Sequence, residues 1–133
     1  MSDIDRQSIA TTLSKHLVND EDIQSLVAEE IFEVLARTLV ERYQKQQLNG
    51  FDLLFSNVEH HIIWNSPEER QWLIVNFLEV LKNVSSWADV DYQVFEEWLG
   101  PESHVAWRWL EKRWQGNQSL ADTLKYGPKK NSN

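Results

Sequence analysis

Apolar residues recur at helical spacing along almost the whole chain, and this constrains the fold more than any other feature. The clearest run begins at Ile23 and continues through Leu26, Val27, Ile31, Val34, Leu35 and Leu39. No stretch alternates apolar and polar residues as a half-buried strand would. The pattern predicts an all-α, single-domain helical bundle of about six to seven helices over residues 1–127, with residues 128–133 as a disordered tail.

Local signals predict where several helices begin and end. Residues 23 to 48, if unbroken, form one helix about 40 Å long at ~1.5 Å per residue, and we expect it to be the spine of the bundle. Ser66, Pro67 and Glu69 make a capping box with proline at the first helical position. Gly100-Pro101 ends one short helix and opens the next, and Gly116 is expected to end that one.

Composition removes several classes of function. The 133 residues are enough for one core, and because there is no cysteine the chain has no disulfide, thiolate metal site or thiol nucleophile. The first residues, "MSDIDRQSIATT", are acidic and polar, unlike a signal peptide, and no apolar run reaches the ~18 residues of a membrane span. We expect a cytoplasmic protein with no membrane partner.

The charge is uneven along the chain. Residues 1–100 carry 7 Lys+Arg against 18 Asp+Glu, whereas residues 101–133 carry 6 against 3, which together give the net charge of −8. Acidity opposes binding to nucleic acid, because phosphate contacts need clustered lysine and arginine. The same charge would steer a basic protein partner toward the chain, or would serve only to keep it soluble.

Four of the seven tryptophans lie in the stretch "EEWLGPESHVAWRWLEKRW", residues 96–114. On a helix, Trp107 and Trp114 share one face with Leu110, and Trp98 is expected to pack beside them in the core. Trp109 lies nearly opposite, with Arg108, Lys112 and Arg113 around it. Two interpretations stay open: the C-terminal segment covers Trp109 through Leu120 and Leu124, or Trp109 is an exposed anchor for a partner.

The sequence predicts no catalytic centre, metal site or cofactor. The adjacent His60 and His61 diverge by about 100° on a helix and do not face one metal. No glycine-rich phosphate loop, nucleophile elbow or dinucleotide fingerprint is present. We therefore expect a protein that is not an enzyme; the remaining enzymatic alternative is a hydrolase that pairs Glu59 with His60 or His61.

The residues "FLEVLKN…VDYQVFEEWLGPES" resemble an uncharacterised family of small helical bacterial proteins. Its members have a helix, a "(L/M)GPE(S/T)" turn and a further helix, and the turn corresponds here to Leu99-Gly100-Pro101-Glu102-Ser103. The resemblance covers about 30 residues. It implies a place in polymorphic-toxin neighbourhoods, where small acidic cytoplasmic proteins serve as immunity factors against nuclease-type or other basic toxins.

These observations favour an immunity or antitoxin-like inhibitor that binds a basic toxin domain. The expected partner-binding residues are acidic side chains on two helices and two tryptophans: Glu29, Glu30, Glu33, Trp87, Glu96, Glu97 and Trp109. The alternative is a homodimeric helical scaffold or regulator without catalytic activity, in which charge serves only solubility.

Overall fold

A computed structural model describes the backbone of residues 3–126 and the side chains of residues 5–113. Every regular element in this range is helical: α1 (Asp3–Ser14), α2 (Asp20–Ile23), α3 (Ala28–Gln44), α4 (Phe51–Trp64), α5 (Pro67–Leu73), a π turn (Ile74–Leu78), α6 (Glu79–Trp87), a 3-10 helix (Tyr92–Trp98) and α7 (Pro101–Tyr126). The predicted all-α bundle is confirmed. None of these helices is both long and apolar enough to cross a bilayer. The predicted tail, residues 128–133, lies outside the described residues.

One continuous helical rod, residues 67–87, joins α5, the π turn and α6. It begins as predicted: the Ser66 hydroxyl accepts from the Glu69 amide at 3.2 Å, and the Glu69 carboxylate accepts from the Ser66 amide at 3.3 Å. In the π turn the Glu79 amide donates to the Ile74 carbonyl, five residues back instead of four. Trp64 and Trp87 mark opposite ends of this rod, about 30 Å apart at the rise of a helix.

Contacts between helices fix their directions. Phe32, in the first half of α3, packs on Trp72 and Phe77, and the second half of α3 lines a groove with Val84 and Ala88, so α3 and the rod run the same way. Helix α4 runs in the opposite direction to the rod. The two are joined by a short connection that contains Ser66, at which the chain reverses. Helix α7 runs alongside α4, while α1 packs on α3 and α4.

The core is aromatic. All five phenylalanines of the chain are fully buried, and they come from four different elements: Phe32, Phe51, Phe55, Phe77 and Phe95. Ring centroids 5.6 to 6.4 Å apart link them into one cluster through the bundle. This rigid centre fixes the helices whose outer faces carry the candidate binding residues.

Two predicted helix boundaries are wrong. The expected spine is broken: α2 ends at Ile23 and α3 begins at Ala28, with Val27 in an extended conformation. The break is stabilised because the Leu26 carbonyl accepts from the Gln7 side chain at 2.8 Å. Gly116 does not end the tryptophan-rich helix, since α7 continues to Tyr126 and, at 26 residues, is longer than α3 at 17.

Candidate partner-binding surfaces

The predicted binding residues lie at the two ends of the bundle and do not form one surface. Glu29, Glu30 and Glu33 belong to the first two turns of α3, beside Trp72. Trp87 ends α6, and Glu96 and Glu97 belong to the 3-10 helix that follows it. We call these the Trp72 end and the Trp87 end. Trp109 lies near the start of the rod, at the Trp72 end.

The three glutamates of α3 are exposed, but each has a contact within the chain. Glu29 accepts from the indole N–H of Trp72 at 3.5 Å, and Glu30 accepts from the Val27 amide at 3.1 Å, which caps the helix. Glu33 pairs with Arg37 at 2.8 Å. Arg37 offsets the charge of Glu33, and neutral donors occupy one oxygen each of Glu29 and Glu30, so this face is partly engaged within the chain.

Trp87 is the more exposed of the two predicted tryptophans, with 71% of its surface accessible against 43% for Trp109. The segment from Ser86 to Glu97 contains Asp89, Asp91, Glu96 and Glu97 and no lysine or arginine. Asp89, Asp91 and Glu97 are exposed, and together with Trp87 we call them the acidic Trp87 surface. A groove of about 410 Å³ lies within it, lined by Ser86, Asp89, Val90, Asp91 and Tyr92.

Hydrogen bonds hold the loop that presents these acids. The Val90 amide donates to the Ser85 carbonyl at 2.8 Å, and the Asp91 carboxylate accepts from the Gln93 amide at 3.0 Å, where it caps the 3-10 helix. Glu96 is turned inward and lies 3.5 Å from the His104 ring. Asp89 and Asp91, which the sequence did not indicate as binding residues, therefore belong to the candidate surface, whereas Glu96 is less available to a partner.

Trp109 is 43% exposed and carries the Arg113 guanidinium 5.5 Å from its ring centroid. Helix α7 continues past Trp109 to Tyr126, which places the backbone at Leu120 about 16 Å further along the same axis. The side chains of Leu120 and Leu124 lie outside the described range, as does that of Trp114. The interpretation in which Leu120 and Leu124 cover Trp109 therefore stays a prediction, as does the interpretation of Trp109 as an anchor for a partner.

Trp98 and Trp107 of this stretch are structural. Trp107 is fully buried and its ring packs edge-on against Tyr92, with centroids 5.9 Å apart. Trp98 packs on Phe51 and Phe55, with centroid distances of 5.1 and 6.5 Å. Both belong to the core, as predicted, although Trp98 joins the phenylalanine cluster.

The start of α7 is held by a carboxylate from another helix. Glu59 of α4 accepts from the backbone amides of Glu102 at 3.0 Å and Ser103 at 2.8 Å, and from the Ser103 hydroxyl at 2.7 Å. Helix N-termini have unpaired amides and a positive dipole end, so a carboxylate stabilises them. Gly100 permits this approach, because a Cβ there would lie 2.5 Å from Cδ of Glu59.

The Glu59 contact gives a structural reason for the glycine and the serine of the "LGPES" turn. Burial raises the pKa of Glu59, but the hydrogen bonds from Glu102 and Ser103 outweigh burial, and the net pKa lies below its ordinary value. Glu59 therefore stays ionised and bound to α7. It does not pair with His60 or His61, so the acid–base pair required by the hydrolase alternative is not formed.

Lys82 is a buried cation that the sequence interpretation missed. It is 1% exposed, and its Nζ lies 3.5 Å from the Tyr92 ring centroid and 4.4 Å from that of Trp107, with no hydrogen-bond acceptor. Burial lowers the pKa of Lys82 to about 8, although Glu111 and Glu96 act in the opposite direction. The sequence did contain a signal for this buried cation, because Lys82 lies on the same side of the helix as Leu78 and Leu81, among apolar residues.

Lys82 should make stability rise with pH. Above pH ~8 the folded protein releases the Lys82 proton, while the unfolded chain retains it until about 10.5, so deprotonation favours the folded state. Relative to Lys82→Met, the free energy of unfolding of the wild type should rise by about 2 kcal/mol between pH ~7.5 and ~9.5. Urea denaturation at several pH values measures this difference. A difference that does not change with pH would show that the aromatic rings keep the amine charged.

No group of three or more His, Asp or Glu side chains with metal-binding geometry occurs in the described part of the chain. His60 and His61 have their rings edge-on, with centroids 6.1 Å apart, and the His61 Nδ1 lies 3.2 Å from the Asn65 amide nitrogen. Burial, followed by the neighbouring His60, lowers the pKa of His61, and Glu69 opposes the shift. Both histidines therefore have contacts within the chain, at the end of α4.

Of the three exposed tryptophans in the described part of the chain, Trp64, Trp87 and Trp109, the two predicted as binding residues have opposite electrostatic surroundings: Trp87 lies among carboxylates and Trp109 beside cations. Comparison of the chain with protein-family models, curated proteins and solved structures finds no significant match.

Proposed function

We propose that this protein is a cytoplasmic immunity or antitoxin-like inhibitor that binds a basic, nuclease-type toxin domain and blocks its site. The observation that carries the proposal is the acidic Trp87 surface, where a largely exposed tryptophan lies in one segment with exposed carboxylates. Tryptophan is a frequent hot-spot residue in protein interfaces, and carboxylates around it select a partner of positive charge. The resemblance carried by residues 99–103 points to the same class of protein.

Binding at this surface has a plausible energetic basis. Trp87 supplies apolar area that a partner can desolvate, and its loop is already ordered by the Ser85 and Asp91 hydrogen bonds, so little conformational entropy is lost on binding. Asp89, Asp91 and Glu97 supply long-range attraction, reinforced by the net charge of −8. A toxin that binds nucleic acid presents the complementary charge, and an acidic inhibitor occupies the same site as its polyanionic substrate.

Binding to the product of the gene immediately upstream tests the proposal. We expect a basic protein whose toxicity is relieved by co-expression with the wild type. Trp87→Ala should weaken binding at least ~30-fold, as expected for a hot-spot residue. Changing Asp89 and Glu97 to their amides should lower the association rate and its dependence on salt. Affinities and rates are measured by surface plasmon resonance at low and high salt.

Trp64→Ala is the matched control. Trp64 is 73% exposed, about as much as Trp87, but lies at the opposite end of the rod. We expect its replacement to leave affinity and rescue unchanged. Equal losses of affinity in Trp64→Ala and Trp87→Ala would contradict binding through the acidic Trp87 surface. An association rate that does not change with salt would contradict it as well.

The homodimeric scaffold remains the second candidate, favoured by the exposed apolar side chains Ile63, Trp64 and Val105 on α4 and α7. Exposed apolar residues of this size are typical of interfaces when they form one patch. Light scattering at micromolar concentration separates the candidates, because a monomer excludes the scaffold and leaves the inhibitor unaffected.

A further inference from the structure

A second groove lies between α5 and α7, at the other end of the molecule from the acidic Trp87 surface. It has a volume of about 240 Å³ and is lined by Pro67, Arg70, Gln71, Ile74 and Trp109. Trp109, Ile74 and Pro67 make its walls largely apolar. We call it the α5–α7 groove.

Among the side chains that line this groove, Arg70 is the charged one, although Glu68 and Glu69 precede it on α5. No carboxylate is among its lining residues, and Arg70 lies in its wall. On α7, Lys112 and Arg113 follow Trp109 by three and four residues, which places them on the same side of the helix. Arg113 lies 5.5 Å from the Trp109 ring centroid and also pairs with the half-buried Glu79 at 3.5 Å, which offsets its charge.

Arg70 has hydrogen-bonding capacity left over. Its Nε is buried and has no hydrogen-bond partner. A guanidinium presents its N–H groups in a fixed fork that matches a carboxylate, and partly desolvated surroundings strengthen such a contact. The buried Nε is out of a ligand's reach, so a carboxylate would meet the terminal nitrogens of Arg70. An apolar groove with an arginine in its wall fits a ligand with a bulky apolar group next to a carboxylate.

We infer that the α5–α7 groove docks an acidic segment of a partner protein, with an apolar side chain packed on Trp109 and Ile74 and a neighbouring carboxylate bound to Arg70. This interaction goes beyond the proposed inhibitor function, because it uses the opposite end of the bundle and a partner of opposite charge. Tryptophan and arginine together are the residues most enriched in such contacts.

Other occupants fit less well. Residues 114–133 carry Lys125, Lys129 and Lys130 against Asp122, so the C-terminal segment would add positive charge to a positive groove. Nucleic acid is opposed by the net charge of −8. The acidic loop of a second copy has the right charge, and the experiment below distinguishes it.

NMR titration with the labelled full-length protein tests the inference. The probe is a peptide of sequence DEELFEDL, and its lysine counterpart KKKLFKKL is the control. We expect the acidic peptide to shift the indole signal of Trp109, assigned through Trp109→Phe, while the Trp87 signal stays in place and the lysine peptide leaves Trp109 unaffected. Arg70→Gln should weaken binding at least ~10-fold, whereas Arg37→Gln, which removes one positive charge outside the groove, should change it less than ~3-fold.

Three outcomes would overturn the inference. One is the absence of any Trp109 shift with the acidic peptide up to about 1 mM, the weak limit of a specific contact. Another is unchanged affinity in Arg70→Gln. The third is a Trp109 signal that moves with protein concentration alone, since that would assign the groove to a second copy. None of these results depends on whether a toxin binds at Trp87.

Discussion

Replacing Trp107 by alanine is expected to lower the free energy of unfolding by about 4 kcal/mol, whereas Trp109→Ala should cost about 1 kcal/mol or less. Trp107 is fully buried between Tyr92 and Lys82, so its removal leaves a cavity and takes away one of the two rings that face the buried ammonium. Trp109 is partly exposed and only two residues away. Urea denaturation followed by circular dichroism measures both changes.

Trp107→Phe provides a graded control. The indole N–H of Trp107 is buried without a hydrogen-bond partner, and phenylalanine removes this unpaired donor while retaining most of the apolar volume. Trp107→Phe should therefore lower the free energy of unfolding much less than Trp107→Ala does. Equal destabilisation by Trp107→Ala and Trp109→Ala would contradict the division of the tryptophans into core and surface residues.

The second large effect concerns Gly100 and Glu59, which should behave as one unit. We expect Glu59→Ala to cost about 2–3 kcal/mol, because it leaves the buried Ser103 hydroxyl and two helix amides without their acceptor. Gly100→Ala should cost about the same, since the new methyl group displaces the carboxylate. The double variant should cost about 3 kcal/mol rather than the sum of the two.

The dependence of the free energy of unfolding on acid pH tests the contact between Glu59 and α7 independently. The pKa of Glu59 is lowered in the folded protein, so its stabilising contribution is complete above the unfolded value of about 4.5 and is lost as pH falls through the lower folded value. Glu59→Gln should remove this part of the acid sensitivity. Additive losses in the double-mutant cycle, or unchanged acid sensitivity in Glu59→Gln, would show that the carboxylate does not hold α7.

Local signals predicted most of the helices because the interactions that produce them are local. Ser66, Pro67 and Glu69 lie within four residues, and their side chains make the predicted capping box whatever surrounds them. Local signals did not predict the break before α3. Its apolar spacing continues through Val27, and the cap is Glu30 bonding to an amide of valine, without the serine or threonine that marks a capping box.

Contacts between distant residues could not be predicted. Glu59 and Ser103 are 44 residues apart, and nothing near Glu59 marks it as the acceptor for another helix. Gly100 was assigned to turn chemistry, but its backbone is not left-handed, and the reason for a glycine is the space that Glu59 occupies. The surfaces show the same limit: sequence identified Trp87 and Trp109 as candidates but not that they lie at opposite ends.

The π turn in the rod has a consequence for how the length of this chain can vary. Its five residues close a hydrogen bond that needs one residue more than an α-helical turn. Loss of one residue from 74–78 would restore a regular helix and leave both flanks facing their present neighbours. Loss of one residue elsewhere in the rod would rotate everything beyond it by about 100°. Homologous chains one residue shorter are therefore expected to have their gap here.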